Sequence, residues 1–274
     1  MEMAPGPRNT PWRLSTGERM ILAILLVAIA AGLAGYHLGV KWTEAVVVRV
    51  AEYNPKDADE LAKLADRYGP ASNSQDAEEW IIRDFFQDQR DGVFVDVGAN
   101  DYQRFSNTYY LETALGWSGV AIEPQVKFAE GYRRHRPKTT FVPLFVSDVS
   151  NQRTTLYVTG NDLVASASRE FTEVFGPVTP TPATTTTLDD VLDRLKVTRI
   201  DFLSMDIELA EPQALAGFSI ERFRPRLVAV EAHPPIRQQL LDYFTSHDYS
   251  LVGKYWRVDA DNFWFAPRAS VGDR

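Results

Sequence analysis

Chemistry-bearing residues fall at the ends of apolar runs in this sequence: Asp96, Gly98 and Asn100 in GVFVDVGAND, Glu123 in VAIEP, Asp148 in FVSD, Asp206, Glu208 and Glu211 in DIELAE, and Glu231 and His233 in VAVEAH. An acid that ends a buried strand and is followed by a glycine lets the backbone come close to a ligand. Asp96 and Asn100 can then offer oxygens to an amino or hydroxyl group, and Val97, Ala99 and Asp101 complete the loop. The same pattern also serves an ordinary strand-to-helix turn with a capping Asp, so it gains meaning from its company. Glu123 ends the next strand, where α/β nucleotide folds place the acid that accepts hydrogen bonds from ribose hydroxyls. Asp148 follows the third strand, within reach of an adenine amino group on the same rim, although Ser-Asp is also a common turn.

The loop lacks the G-x-G-x-x-G glycines, so a pyrophosphate cradle is missing and a dinucleotide-dependent oxidoreductase is disfavoured. S-adenosylmethionine has a ribose and an adenine but no phosphate, and acids around its hydroxyl, amino and sulfonium groups suit it better. Asp206 follows the fourth strand. Glu208 and Glu211, at i and i+3, share one face of the helix start, where they can equally stabilise its N-terminus. Glu231 and His233 point to one side of an extended chain. With Asp206 they can form a general-base group or a weak O/N metal site; a histidine at a strand end is more often structural, and no metal is assigned. Acceptor activation is assigned to Asp206 or His233. A neutral imidazole titrating near 6.5 suits a base at neutral pH, whereas an Asp near 3.9 needs a raised pKa or acts by orienting the hydroxyl.

These residues require a sheet to hold them. Short apolar runs at Val93–Val97, Val120–Ile122, Phe141–Val146, Ile200–Met205, Leu227–Val230, Leu251–Tyr255 and Phe263–Phe265 predict seven strands. Their alternation with helical patterns predicts an α/β, mostly parallel sheet with helices on both faces. AEEWIIRDFF reads as a helix turning Trp80, Ile81 and Phe85 to the sheet. A further β segment is expected at Thr154–Val158, and the run VTPTPATTTT reads as a loop over the site. Thr187 then caps a helix whose stripe is Leu188, Val191, Leu192 and Leu195.

The ordered set GVFVDVGAND, SNTYYLE, GWSGVAIEP, TTLDDVLDRL, IDFLSMDIELAE and NFWF resembles the FkbM family of S-adenosylmethionine-dependent methyltransferases over residues 73–267. The resemblance implies a class I methyltransferase (Rossmann-like) fold. It also implies O-methylation of a hydroxyl on a sugar, polyketide-like or lipid-linked small-molecule or glycan acceptor. On it, Asp96, Gly98 and Asn100 match the cofactor loop and Glu123 the ribose acid. Two positions depart from the family pattern. Tyr102 replaces a common glycine, which is expected to put a ring beside the methionine end of the cofactor, and Leu209 replaces the glycine of Asp-Val-Glu-Gly-Ala-Glu. Those departures motivate the competing reading, a non-catalytic binding or scaffold protein that keeps the fold.

Ahead of this domain, Met20 to Val40 carries no fixed charge, and 21 residues at 1.5 Å each span the roughly 30 Å hydrocarbon layer. The expected organisation is an N-terminal tail (1–19), a transmembrane helix (20–40), a helical stalk (41–72), the methyltransferase domain (73–267) and a C-terminal tail (268–274). Arg8, Arg13 and Arg19 before Ala28-Ile29-Ala30 also fit a cleaved signal peptide, but the apolar run continues past that point. Arg8, Arg13 and Arg19 on one side balance Lys41, Arg49 and Lys56 on the other, so charge does not orient the span. A single-pass membrane protein with a cytoplasmic domain is expected because the cofactor is made there. Gly35 and Gly39 form a GxxxG pair that can pack two helices into a homodimer. The net charge of -8 argues against a nucleic-acid partner, and the absence of cysteine excludes disulfides and thiolate chemistry.

Overall fold

A computed structural model describes residues 58–69 and 72–268 of the protein. The expected membrane span, its Gly35/Gly39 face, the N-terminal tail and the start of the stalk lie outside the described residues, as does the tail from 269. Among the described residues no helix is long and apolar enough to cross a membrane.

The first helices are α1 (Ala58–Tyr68) and α2 (Glu78–Phe86). In α2, Ile81, Ile82, Phe85 and Phe86 recur at helical spacing and are buried, and the helix stops where Gln87 turns left-handed at φ 52°. Leu61 and Leu64 of α1 pack into the same apolar cluster. Arg83 donates to the Tyr68 carbonyl at 2.8 Å, tying the two helices together.

The chain then alternates through β1 (Val93–Val97), α3 (Tyr109–Thr113), β2 (Ser118–Ile122), α4 (Ala129–His135), β3 (Thr139–Val142), β4 (Phe145–Val146), β5 (Arg153–Val158) and α5 (Arg169–Glu173). It continues with β6 (Thr179–Thr186), α6 (Leu188–Arg194), β7 (Phe202–Met205), α7 (Glu211–Ala216), α8 (Ile220–Phe223), β8 (Leu227–Glu231), α9 (Arg237–Ser246), β9 (Tyr249–Leu251) and β10 (Asn262–Pro267). Seven strands form the main sheet in the order β3-β2-β1-β7-β8-β10-β9, parallel except for β10, which runs antiparallel to both neighbours. The expected α/β architecture is therefore present.

Period-2 alternation assigns each strand's residues to one of two cores. Val95, Val97, Leu203, Met205, Val228 and Val230 face α6, α7 and α9 through Val191, Leu215 and Phe244. Phe94, Phe202, Leu227 and Trp264 face α2 and α3 through Ile82 and Leu111, with Trp117 in the same cluster. Asp96 lies on the Phe94 side of β1, so its carboxyl turns toward the α3 layer.

Three strand expectations need correction. Phe141–Val146 is not one strand: Pro143 breaks it, leaving β3 in the main sheet and β4 in a second, three-stranded sheet of order β4-β6-β5. Leu251–Tyr255 is displaced to Tyr249–Leu251, and the chain turns from Gly253, with Tyr255 buried on the α2 face. The Thr/Pro run is not a loop over the site but β6, paired antiparallel with β5. Its prolines fit because Tyr157, opposite Pro180, sends its own N–H and carbonyl to Ser166 on the far side. Pro180 and, two residues on, Pro182 thus occupy positions that owe β5 no hydrogen bond. Thr187 caps α6 as expected, accepting from the Asp190 N–H at 3.1 Å.

Candidate active site

The strand order reverses at β1, whose neighbours β2 and β7 lead to opposite halves of the sheet, and open α/β sheets bind ligands beyond the strand C-termini at such a point. A cavity of about 310 Å³ lies there, within the roughly 300–1,000 Å³ range of small-molecule sites. Asp96, Val97, Gly98, Ala99, Asn100, Glu123, Asp206, Glu208, Glu231 and His233 all line it.

On the β1 and β2 side the cavity holds two buried acids. Asp96 is 5% exposed, accepts from Thr108 Oγ1 at 2.9 Å, and is pushed up to about 6 by burial. Thr108 is fixed in turn by Arg136, which is buried against Glu112 at 2.6 Å and donates to the Thr108 and Tyr102 carbonyls. Glu123, also 5% exposed and also raised by burial, accepts from the Gln125 N–H at 2.8 Å and the Asn100 N–H at 3.3 Å. Each of its oxygens keeps a lone pair for a further donor, as a ribose diol requires.

Gly98 takes φ +83°, and a Cβ there would lie 1.7 Å from the Asp206 carbonyl oxygen. Only glycine lets the β1 and β7 loops touch in this way. Asn100, at φ 43°, uses its side chain within the protein: Oδ1 accepts from the Asp101 N–H and Nδ2 donates to the Asp162 carbonyl. Gln125 Nε2 donates to the same carbonyl at 3.2 Å. These bonds draw the β5–β6 excursion over the cavity, where Asn161–Ala165, Phe171 and Phe175 form one wall. The cover expected from the Thr/Pro run is supplied by this excursion instead.

Opposite lies an acidic cluster. His233 Nε2 is 2.9 Å from Glu208 Oε2 and 3.0 Å from Glu231 Oε1, and these two partners push the imidazole up to about 10. Asp206 is an exposed residue that lines the cavity, with Glu208, Glu211 and Glu231 close by. Burial and then the charges of Glu231, Glu208 and Glu211 hold its carboxyl well above the usual range. Glu211 is fully buried and pushed up to about 8 by burial; its Oε1 accepts from the Ile207 N–H at 2.8 Å.

Glu208 and Leu209 stand at φ 55° and 79°, a left-handed turn that aims the Glu208 carboxyl at the cavity. The family glycine suits such a turn, and here Leu209 adopts it while packing partly against the core.

Two expected cofactor residues stand apart. Asp101 accepts from the Gln103 and Arg104 N–H groups as a turn cap and does not line the cavity. Asp148 is exposed, lies outside the lining and takes hydrogen bonds from Ser147 and Gln213. Tyr102 does not reach the cavity either: its ring stacks on His135 at 4.7 Å and packs over Gly131, which corrects the expectation drawn from its bulk. The sequence reading overlooked Thr108, Gln125 and Phe171. Gln125 had a signal, two residues beyond the ribose acid; Phe171 had none.

No curated protein matches this chain. Two solved structures are distantly similar. One is a Pyrococcus horikoshii protein assigned as an RNA methyltransferase, 12% identical over 72% of this chain and 82% of that one, with TM-score 0.36. The other is Burkholderia thailandensis 1,6-didemethyltoxoflavin-N1-methyltransferase, bound to 1,6-didemethyltoxoflavin and S-adenosylhomocysteine, 12% identical over 95% and 92%, with TM-score 0.34. Neither likeness bears on the chemistry. The family model described as the methyltransferase FkbM domain matches residues 96–251, which take in Asp96, Glu123, Asp206, Glu208 and Glu231, and the chain belongs to the FkbM methyltransferase family, whose methyl donor is S-adenosylmethionine.

Proposed function

We propose that the protein transfers the methyl group of S-adenosylmethionine to a hydroxyl of a sugar, lipid-linked or polyketide-like acceptor. The observation that carries this reading is the pair of buried acids, Asp96 and Glu123, ending adjacent strands of one cavity that also holds Asp206. The donor set fits the cofactor: Glu123 suits the ribose diol, Asp96 the cationic methionine end, and no phosphate cradle is needed. When bound, the cofactor supplies an electrophilic methyl on a sulfonium.

The protein's part is alignment and removal of a proton. Asp206 is the group we assign to the acceptor proton. Burial and the neighbouring acids hold its carboxyl above the usual range, while His233 already holds a proton between Glu208 and Glu231. His233 thus positions the acids rather than serving as the base expected from an unperturbed imidazole. Phe171 and Phe175 give the acceptor side an apolar wall, which suits a hydroxyl carried on a hydrophobic group. Incubating the full-length protein with methyl-labelled cofactor and fractionated lipid and metabolite extracts tests this. Label in an alkali-stable ether supports it; label confined to amines or carboxylates contradicts it.

Residues 20–40 are read as the membrane anchor, residues 41–72 as the stalk and the domain as cytoplasmic, on the length of the apolar run and the location of cofactor synthesis. Carbonate extraction and protease protection in intact cells test both parts. Release from the membrane, or digestion of the domain from outside, contradicts them.

A further inference from the structure

The cluster at the ends of β7 and β8 carries more negative charge than the reading above uses. Asp206, Glu208, Glu211 and Glu231 crowd together, and among the described residues no Lys or Arg forms an ion pair with any of them; His233 is their one basic partner. Glu208 and Glu211 are buried, and acids withdrawn from water need protons or a cation. Glu208, Glu231 and His233 bring ligand atoms within 4.8 Å of one another, and so do Asp206, Glu211 and Glu231, so Glu231 stands between two sets.

An independent observation concerns the oxygens left over. Glu211 is fully buried and its Oε1 is engaged by the Ile207 N–H, yet its Oε2 has no hydrogen-bond partner among the described residues. Glu231 Oε2 is likewise buried and unpartnered. Buried polar atoms are normally satisfied, so two such oxygens on neighbouring acids call for a ligand.

We propose that this cluster binds one divalent cation, which displaces the proton His233 shares with Glu208 and Glu231, with Glu208, Glu231 and His233 as ligands and Glu211 Oε2 facing the same charge. The separations of 2.9 Å and 3.0 Å from His233 Nε2 to the two glutamates match the edge of a coordination polyhedron with bonds of about 2.1 Å. Two carboxylates and one imidazole select a first-row ion such as Mn²⁺ over Mg²⁺ or Ca²⁺, which prefer oxygen alone. Glu208, Glu231 and His233 line the cavity beside Asp206, so the cation reaches the acceptor end of the site. Resting on the methyltransferase reading, its role is to fix the acceptor oxygen against Asp206.

The test uses Mn²⁺ alone as probe, on purified full-length protein stripped with chelator and examined without cofactor. Electron paramagnetic resonance should show saturable binding of one Mn²⁺ per chain, with modulation from an imidazole nitrogen that disappears in His233→Gln. Glu231→Gln should weaken binding by at least about tenfold, since losing even a supporting partner costs that much. Calorimetry with S-adenosylmethionine on the same samples keeps the two readings apart. If the wild type binds cofactor but no stoichiometric Mn²⁺, the cation site is overturned and the methyltransferase reading stands. Mn²⁺ bound without a nitrogen signal, or unaffected by either substitution, overturns it as well. Should Glu231→Gln fail to fold, the wild-type nitrogen signal and His233→Gln still decide the matter.

Discussion

Asn100 and Asp162 join the cofactor loop to the excursion that covers it, through a hydrogen bond of 3.0 Å from Nδ2 to the Asp162 carbonyl. Gln125 donates to the same oxygen, so the loops after β1 and β2 hold one carbonyl between them. Ligand contact by those loops and closure of residues 159–178 are therefore mechanically linked.

Asn100→Gly tests that link, because glycine keeps the φ of 43° without strain and deletes the amide. Losing about 1 kcal/mol of hydrogen bonding should lower cofactor affinity roughly fivefold. Hydrogen exchange across 159–178 should speed up together with it. Unchanged protection in that segment would show that the bond does not hold the cover.

Arg136 is the buried support of the segment that orients Thr108 against Asp96. Arg136→Leu strands Glu112 without its cation and should cost about 3–5 kcal/mol, a large share of a domain's stability. Thermal melting reads this, and adding Glu112→Leu should recover part of the loss. A single variant within about 1 kcal/mol of wild type contradicts the assignment.

Asp96 makes stability depend on pH in a definite direction. Its folded value of about 6 lies above the ordinary 3.8, so the folded state holds this proton more tightly than the unfolded chain. The group's contribution is most favourable below about pH 4 and declines as pH rises to about 6. Above that the buried charge costs on the order of 3 kcal/mol. Asp96→Asn removes the slope, so without cofactor its melting temperature should gain on wild type between pH 4 and pH 8. A constant offset across that range would mean the carboxyl is not buried as described.

Asp206→Asn should cut turnover by about 10²–10⁴-fold with cofactor affinity within a few-fold. Turnover and cofactor binding measured on one preparation separate the roles. If both collapse together, Asp206 belongs to the cofactor pocket; if neither changes, the proton goes elsewhere.

The parallel strands were readable because buried β runs are continuous in apolar residues, and Asp96, Glu123 and Asp206 were readable because each ends such a run. Asp148 also ends one, but Pro143 sends the chain into the second sheet before Asp148 is reached, and strand periodicity does not reveal which sheet follows. The strand at 179–186 was hidden because prolines at positions that owe no hydrogen bond look identical in sequence to prolines in a loop. His233 looked like a free imidazole since the acid that most alters it, Glu208, lies 25 residues away and is brought to it by a left-handed turn. Tyr102 looked obstructive because its alternative neighbour, His135, is distant in sequence at the end of α4.

In the proposed complex, S-adenosylmethionine occupies the cavity beyond β1 and β2 with Glu123 on its ribose. Calorimetric titration of S-adenosylmethionine into wild-type protein and Glu123→Ala tests it most directly. The wild type should bind saturably and the variant should lose about tenfold or more, as expected when hydrogen bonds to a charged acceptor worth about 1.5–3 kcal/mol each are removed. Wild-type affinity in Glu123→Ala, or no binding by the wild type, would contradict it.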